Sequence, residues 1–268
     1  MNFNGLFIIG VLFCSLFSCE KKYTGKPIPI LAHAASGLYN PKRLHAENSK
    51  EAIDYALSFE GLAGLELDVQ MSKDATIWLF HDENLAENTS GKGRIIENSD
   101  EALSEVTYNS LNRAKIVRLK DVDFSSAIGT KDVFLDIKVQ FDLLDSVSLD
   151  LFFSQLLEFK TKYAPFVNMH IILKNHWEMD LFNAYGIDEF FAGATSFNRA
   201  IEAMSLGYKG VFIRNNNIST EEVLALKESG MKVVLFDVRT LYSIRRALKK
   251  NPDFLMVEDF KTAILELN

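Results

Sequence analysis

The chain has 268 residues, 48% of them hydrophobic, 21 phenylalanines and a net charge of −7. That length suits one large domain, such as an α/β barrel, or two small ones, and the apolar content excludes a largely disordered chain. No Lys/Arg-rich stripe interleaved with aromatics accompanies the acidic balance, so nucleic acid is excluded as the expected partner.

Leu6–Ser18 is an apolar run that stops abruptly at Cys19, before Glu20-Lys21-Lys22. It is too short to span a bilayer, which takes about 20 residues. A small residue before a cysteine at the end of such a run resembles a bacterial lipoprotein signal, cleaved ahead of Cys19 and lipidated on it. One departure is that Met1–Gly5 contains no Lys or Arg. The organisation expected is therefore a signal over residues 1–19, a charged tether over 20–27 and one domain over 28–268. The lipid on Cys19 would hold that domain to a membrane of the bacterial cell envelope, the outer membrane, facing the periplasm or the surface. Cys14 and Cys19 are the only cysteines, so the mature domain forms no internal disulfide.

Nine β-rich runs follow: 28–33, 65–70, 76–81, 133–138, 169–173, 190–194, 210–213, 232–236 and 254–257. Helical patterns separate the later ones. One over 220–229 has a Ser219/Thr220 start signal and stops at Gly230, and one over 240–250 is basic near its end. Such alternation predicts parallel strands and an α/β fold. The second and third runs are joined only by Met71–Ala75, whereas a parallel crossover takes about a dozen residues or more. They must pair as an antiparallel hairpin. The prediction is a TIM-type (β/α)8 barrel with a β-hairpin excursion after its second strand.

In such a barrel the chemistry sits at the C-terminal ends of the strands. His33 ends the first run. Glu66 and Asp68 lie two apart in the second, so their side chains share a face, and Asp136 and Lys138 repeat that spacing. His81-Asp82 closes the hairpin. Alone, an E-x-D pair on a strand reads as a solvated face. Here Leu65, Leu67 and Val69 are apolar, as if the other face packed under helices. Three carboxylates gathered in a barrel mouth repel one another, and a hard divalent cation, Mg²⁺ or Ca²⁺, relieves that cost.

These residues carry a resemblance. Leu31-Ala32-His33, Glu47-Asn48-Ser49, Leu65-Glu66-Leu67-Asp68-Val69-Gln70, Ser72-Lys73-Asp74, Leu79-Phe80-His81-Asp82 and Leu135-Asp136-Ile137-Lys138 follow one another in an order similar to the glycerophosphodiester phosphodiesterase family. That family is a TIM-barrel group related to phosphatidylinositol-specific phospholipase C. The segment Glu87–Gly93 resembles its Thr- and Gly-containing loop, and the C-terminal half matches more loosely. The resemblance implies that His33 and His81 serve as general acid and base. It further implies that Glu66, Asp68 and Asp136 ligate one divalent metal and that Lys138 contacts a phosphate oxygen of a small-molecule phosphodiester.

Three positions depart from the family pattern. Ala34 stands where the family usually has a phosphate-clamping Arg; Arg43 or Lys42 either replaces that charge or lies on the loop surface. Asp136 replaces the usual Glu and is one methylene shorter. The late signatures are altered to Phe236-Asp237 and Glu258-Asp259-Phe260. His170 and His176 are expected to be structural, and Trp177 or Phe197 to pack at the core or rim unless one lines the leaving-group pocket. The expected function is metal-dependent hydrolysis of glycerophosphodiesters. The alternatives are phospholipase-like action on lysolipid or inositol lipid headgroups and a non-catalytic phosphate-ester-binding lipoprotein.

Overall fold

A computed structural model describes residues 23–38 and 44–267. It contains strands β1 (Ile30–Ala32), β2 (Gly64–Met71), β3 (Ile77–Leu79), β4 (Val117–Arg118) and β5 (Lys131–Ile137). These are followed by β6 (Val167–Leu173), β7 (Phe190–Ala194), β8 (Gly210–Arg214), β9 (Lys232–Val238) and β10 (Phe254–Val257). The sheet order is β1-β10-β9-β8-β7-β6-β5-β2, and a further β1–β2 pairing closes it. All pairings around this ring are parallel, so the eight strands form a TIM-type barrel, as predicted. Each strand was expected within a few residues of where it lies; β1 is shorter than the 28–33 run and passes into a tight turn at His33.

The hairpin is also present, with Val69 opposite Leu79 and Met71 opposite Ile77. The excursion is larger than expected. β4 adds a third antiparallel strand, and the loop between β3 and β4 encloses its own small core around Trp78, Phe80, Leu85, Ile95 and Tyr108. β4 has two residues, too few for any periodicity to show in the sequence.

Helices over Lys50–Leu57, Ser146–Tyr163, Phe197–Ser205, Thr220–Glu228 and Leu241–Lys249 pack outside the ring. Each begins at a polar N-cap (Ser49, Asp145, Ser196, Ser219 and Thr240) whose side chain accepts a hydrogen bond from a first-turn N–H. Among the described residues no helix is long and apolar enough to cross a membrane.

Strand alternation divides the core in two. On β2 the odd residues Leu65, Leu67 and Val69 join the large cluster beneath the helices. Leu31, Phe134, Ile172, Phe191, Phe212, Val234 and Met256 form a separate cluster inside the barrel, one residue from each of seven strands. Phe134 sits at its centre, with edge-on contacts to Phe191, Phe212 and Phe254 at centroid distances of 5.0, 5.2 and 5.5 Å. Beside it His170 stacks on Phe134 at 4.5 Å and bonds Asp132 at 2.8 Å, the structural role expected of it.

Candidate active site

The interior apolar layer fixes what lies above it. Two residues further along the same strands stand His33, Asp136, Lys174, Gly193, Arg214, Phe236 and Glu258, and all of them line one cavity of about 360 Å³ at the C-terminal mouth. β2 adds Glu66 and Asp68, and His81, two residues past the end of β3, joins them. The residues singled out from the strand ends are therefore brought together.

One wall is acidic. Glu66, Asp68 and Asp136 each offer a carboxylate oxygen, and the three oxygens lie within 4.8 Å of one another. Asp68 is gripped from two sides. Asn48 Nδ2 donates to Asp68 Oδ2 at 2.7 Å, while the Asp68 N–H donates to Asn48 Oδ1 at 3.1 Å. Lys138 Nζ lies 2.8 Å from Asp68 Oδ1 and 3.6 Å from Asp136 Oδ2. Burial alone would raise the Asp68 pKa, but Lys138 and His81 outweigh it and hold Asp68 below the usual carboxylate range. Glu66 is pushed well above that range by burial and by the charges of Asp68 and Asp136. Asp136 is raised chiefly by burial. Lys138 is held cationic despite its burial, because the carboxylates beside it raise its pKa. An oxygen-only donor set of this kind, in which added positive charge would relieve Glu66, fits a hard divalent cation.

The turn after β1 supports this wall through its backbone. Ala34 and Ala35 both adopt left-handed conformations, with φ of 44° and 63°. That turn aims the Ala34 N–H at Glu66 Oε2, 3.0 Å away, so the position lacking an arginine side chain contributes a backbone donor.

The two histidines are oriented in the same way. His33 Nδ1 lies 2.7 Å from Glu258 Oε1, and His81 Nδ1 lies 2.8 Å from Asp82 Oδ1. An ionised carboxylate can only accept, so both Nδ1 atoms carry a proton and each Nε2 is the remaining functional atom. Asp82 is itself held by Asn88 Nδ2 at 2.6 Å, and Gln70 Nε2 donates to the carbonyls of Phe80 and Asp82, fixing the loop. Burial opposes charge on His81, but its bond to Asp82 and the nearby Asp68 raise its pKa above the ordinary 6.5.

Arg43 and Lys42, and Cys19 as the expected lipidation site, lie outside the described residues. Trp177 is 50% exposed and Phe197 packs against the outer core; neither lines the cavity. Conversely, Lys174, Arg214, Arg239 and the pairing of Glu258 with His33 were not anticipated. Each is two residues beyond an interior apolar residue except Arg239, which follows a bulge between β9 and β10.

The sequence model of the Glycerophosphoryl diester phosphodiesterase family matches residues 33–262. Comparison with curated proteins finds no match. Among solved structures, an Oleispira antarctica phosphodiesterase in complex with the product sn-glycerol-3-phosphate is 18% identical with a TM-score of 0.70, covering 89% of this chain and 96% of that one. A glycerophosphodiester phosphodiesterase from Agrobacterium tumefaciens is 15% identical with a TM-score of 0.65, covering 90% and 99%. One from Parabacteroides distasonis is 18% identical with a TM-score of 0.66, covering 89% and 96%. At these identities the structural likeness speaks to the fold, and the family model, which begins at His33 and runs through the barrel to residue 262, speaks to descent. On that match the chain belongs to the Glycerophosphoryl diester phosphodiesterase family, a family of phosphoric diester hydrolases.

Proposed function

We propose that this protein is a metal-dependent phosphodiesterase that hydrolyses glycerophosphodiesters to glycerol 3-phosphate, or a related phosphomonoester, and an alcohol. The observation that carries this reading is the convergence on one cavity of the Glu66–Asp68–Asp136 cluster with two histidines pinned at Nδ1 by carboxylates. The Oleispira antarctica structure, whose bound product is sn-glycerol-3-phosphate, gives the substrate class its support.

In this reading Glu66, Asp68 and Asp136 hold one Mg²⁺ or Ca²⁺, which when bound supplies positive charge to the phosphate oxygens. Lys138 Nζ, at the edge of the same cluster, adds a second positive contact as charge builds on those oxygens. His33 Nε2 accepts the proton of the attacking oxygen as the new P–O bond forms; that oxygen is water's, or the neighbouring glycerol hydroxyl's, in which case a water then opens the resulting cyclic phosphate to the monoester. His81, kept protonated by Asp82, gives its Nε2 proton to the departing alkoxide as the old P–O bond breaks. Glu258 and Asp82 hold the two rings in place, and Asp82 favours the protonated form of His81.

Lipidation at Cys19 extends the proposal to cellular placement, with residues 28–268 as the domain held at an envelope membrane; its support is the Leu6–Ser18 run ending at Cys19. The mass of the mature N-terminal peptide decides it, because an unmodified residue 19 would remove the anchor.

The test of the activity is incubation of the purified protein with glycerophosphocholine, glycerophosphoethanolamine and glycerophosphoinositol in Mg²⁺, Ca²⁺ or EDTA. Release of glycerol 3-phosphate that is lost with EDTA and with His81→Ala is expected. Absence of turnover on every ester in every metal, with ester binding retained, would identify a binding protein instead.

A further inference from the structure

The cavity has a second wall with the opposite sign. Around the mouth from β6 to β9 it carries Lys174, Arg214 and Arg239, with Asp237 between the two arginines. Asp237 Oδ2 accepts from Arg214 Nη1 at 2.9 Å and Asp237 Oδ1 accepts from Arg239 Nε at 2.8 Å. Three cations and one carboxylate leave this wall positive in balance. The acidic cluster and both histidines belong to β1, β2, the hairpin and β5; β8 and β9, which carry the two arginines, lie across the ring from β2 and β5, while Lys174 follows β6 beside β5, close enough to be felt by Asp136.

The wall is built rather than incidental. Asp237 adopts a left-handed backbone with φ of 60°, a conformation costly for a non-glycine residue, at the register shift between β9 and β10. That kink turns one carboxylate toward both arginines and fixes their spacing. Arg214 also lies 5.5 Å from the Phe236 ring centroid, so its guanidinium is held on an aromatic face as well as by the carboxylate. Between Lys174 and Arg214 the barrel contributes Gly193, where an added Cβ would meet nothing within 4 Å. The middle of the cationic wall is therefore open space.

Resting on the phosphodiesterase reading, we propose that this wall is the alcohol-side subsite and that it selects esters whose alcohol carries a second anionic group, a phosphate or a carboxylate. A phosphodiester placed against the acidic cluster has one arm left to extend across the mouth. On that arm a quaternary or primary ammonium would meet two guanidiniums and a lysine at short range. A phosphate there would be met by planar guanidinium donors suited to its oxygens.

The experiment uses the full-length protein and two esters that differ in one phosphate, glycerophosphoinositol and glycerophosphoinositol 4-phosphate, with glycerophosphocholine as the cationic comparison. The phosphorylated ester is expected to have a kcat/KM about tenfold or more above its parent, the scale of one charged hydrogen bond. The preference should shrink with added salt. Arg214→Gln should cost the phosphorylated ester about tenfold and its parent much less. Gly193→Asp adds a carboxylate in the open centre of the wall without disturbing Asp237, and it should erase the preference even if Arg214→Gln does not fold. Equal turnover of the two inositol esters, or a preference for the choline ester, overturns the proposal while leaving the phosphodiesterase reading intact. If no ester is hydrolysed the phosphodiesterase reading falls, and calorimetric titration of the same two inositol esters still decides the subsite: tighter binding of the phosphorylated ester supports it, and equal binding refutes it.

Discussion

Glu258, at the end of the last barrel strand, accepts a hydrogen bond from His33 Nδ1, at the end of the first, over 2.7 Å. The pairing of β1 with β10 puts Ala32 beside Val257, so the next residue of each strand meets its neighbour at the mouth. Because Glu258 holds the Nδ1 proton, His33 can present only Nε2 as a base. Glu258→Ala is therefore expected to lower kcat by about 10- to 100-fold, at or below the low end of what general acid–base catalysis supplies. KM should barely move. Glu258→Gln, which keeps an acceptor without the charge, should fall between the two. Parent-like kcat in both variants would remove His33 from the chemistry or Glu258 from its orientation.

His81 gives a pH signature. Its pKa is raised, burial opposing and the Asp82 bond together with Asp68 prevailing. As the proton donor His81 works only when protonated, so activity should fall as pH rises through this raised value. The same elevation contributes stability that is fully present below the ordinary 6.5 and lost as pH rises through the folded-state pKa. Asp82→Asn should move the alkaline limb of the kcat–pH profile to lower pH. An alkaline limb that stays in place in the variant would assign that proton to another group.

Much of this arrangement is legible in the chain, for a physical reason. Long parallel strands repeat every two residues, so Glu66 and Asp68, or Asp136 and Lys138, declare a shared face once the strand is recognised. The same rule would have found Lys174, Arg214 and Glu258, each one step above Ile172, Phe212 and Met256. β8 and β10 have only five and four residues, and β6 ends in the apolar run Ile171-Ile172-Leu173, so none of them shows which face is the interior until the ring closes. Asp237 and Arg239 are hidden by a different cause: the register shift near the end of β9 breaks the period that would have placed them. The pairing of Asn48 with Asp68 crosses 20 residues, and no local pattern announces it.

The barrel interior predicts its own sensitivity. Phe134 is fully buried, stacks on His170 and meets three phenylalanines edge-on. Phe134→Ala should cost about 3–5 kcal/mol, the range for truncating a buried aromatic. Since Asp136 is the next inward residue on β5, activity should fall beyond what the unfolded fraction explains. Chemical denaturation followed by the midpoint measures the first effect, and a loss below about 2 kcal/mol would mean the layer repacks around the gap.

Gly64 tests closure of the ring. It pairs with Leu31 of β1 and Asp132 of β5, and a Cβ there would fall 1.9 Å from the Asp132 carbonyl oxygen. The obstacle is backbone, which cannot swing aside as a side chain can. Gly64→Ala should cost at least the roughly 1–3 kcal/mol typical of overpacking. It should also loosen the strand that carries Glu66 and Asp68. A variant with parent stability would show that β2 can shift without penalty.

The acidic cluster predicts a stability response that runs against the usual effect of removing a charged group. Glu66 has its pKa raised well above the ordinary 4.5 by burial and by its two acidic neighbours. The stability it contributes is present below 4.5 and is lost as pH rises through the raised folded-state value, because the folded chain binds the proton more tightly than the unfolded chain does. Without metal, the protein should therefore lose stability across that window, and Glu66→Gln should melt higher than the parent above it. The glutamine can still accept from the Ala34 N–H, so the local bond survives. With saturating Mg²⁺ or Ca²⁺ the order should reverse: the parent gains by binding the ion and the variant, short of one ligand, gains less. Thermal melts of both proteins in EDTA and in each metal across a pH series read this directly. A metal-free Glu66→Gln that melts below the parent at every pH would show that the carboxylate is relieved by something other than a cation.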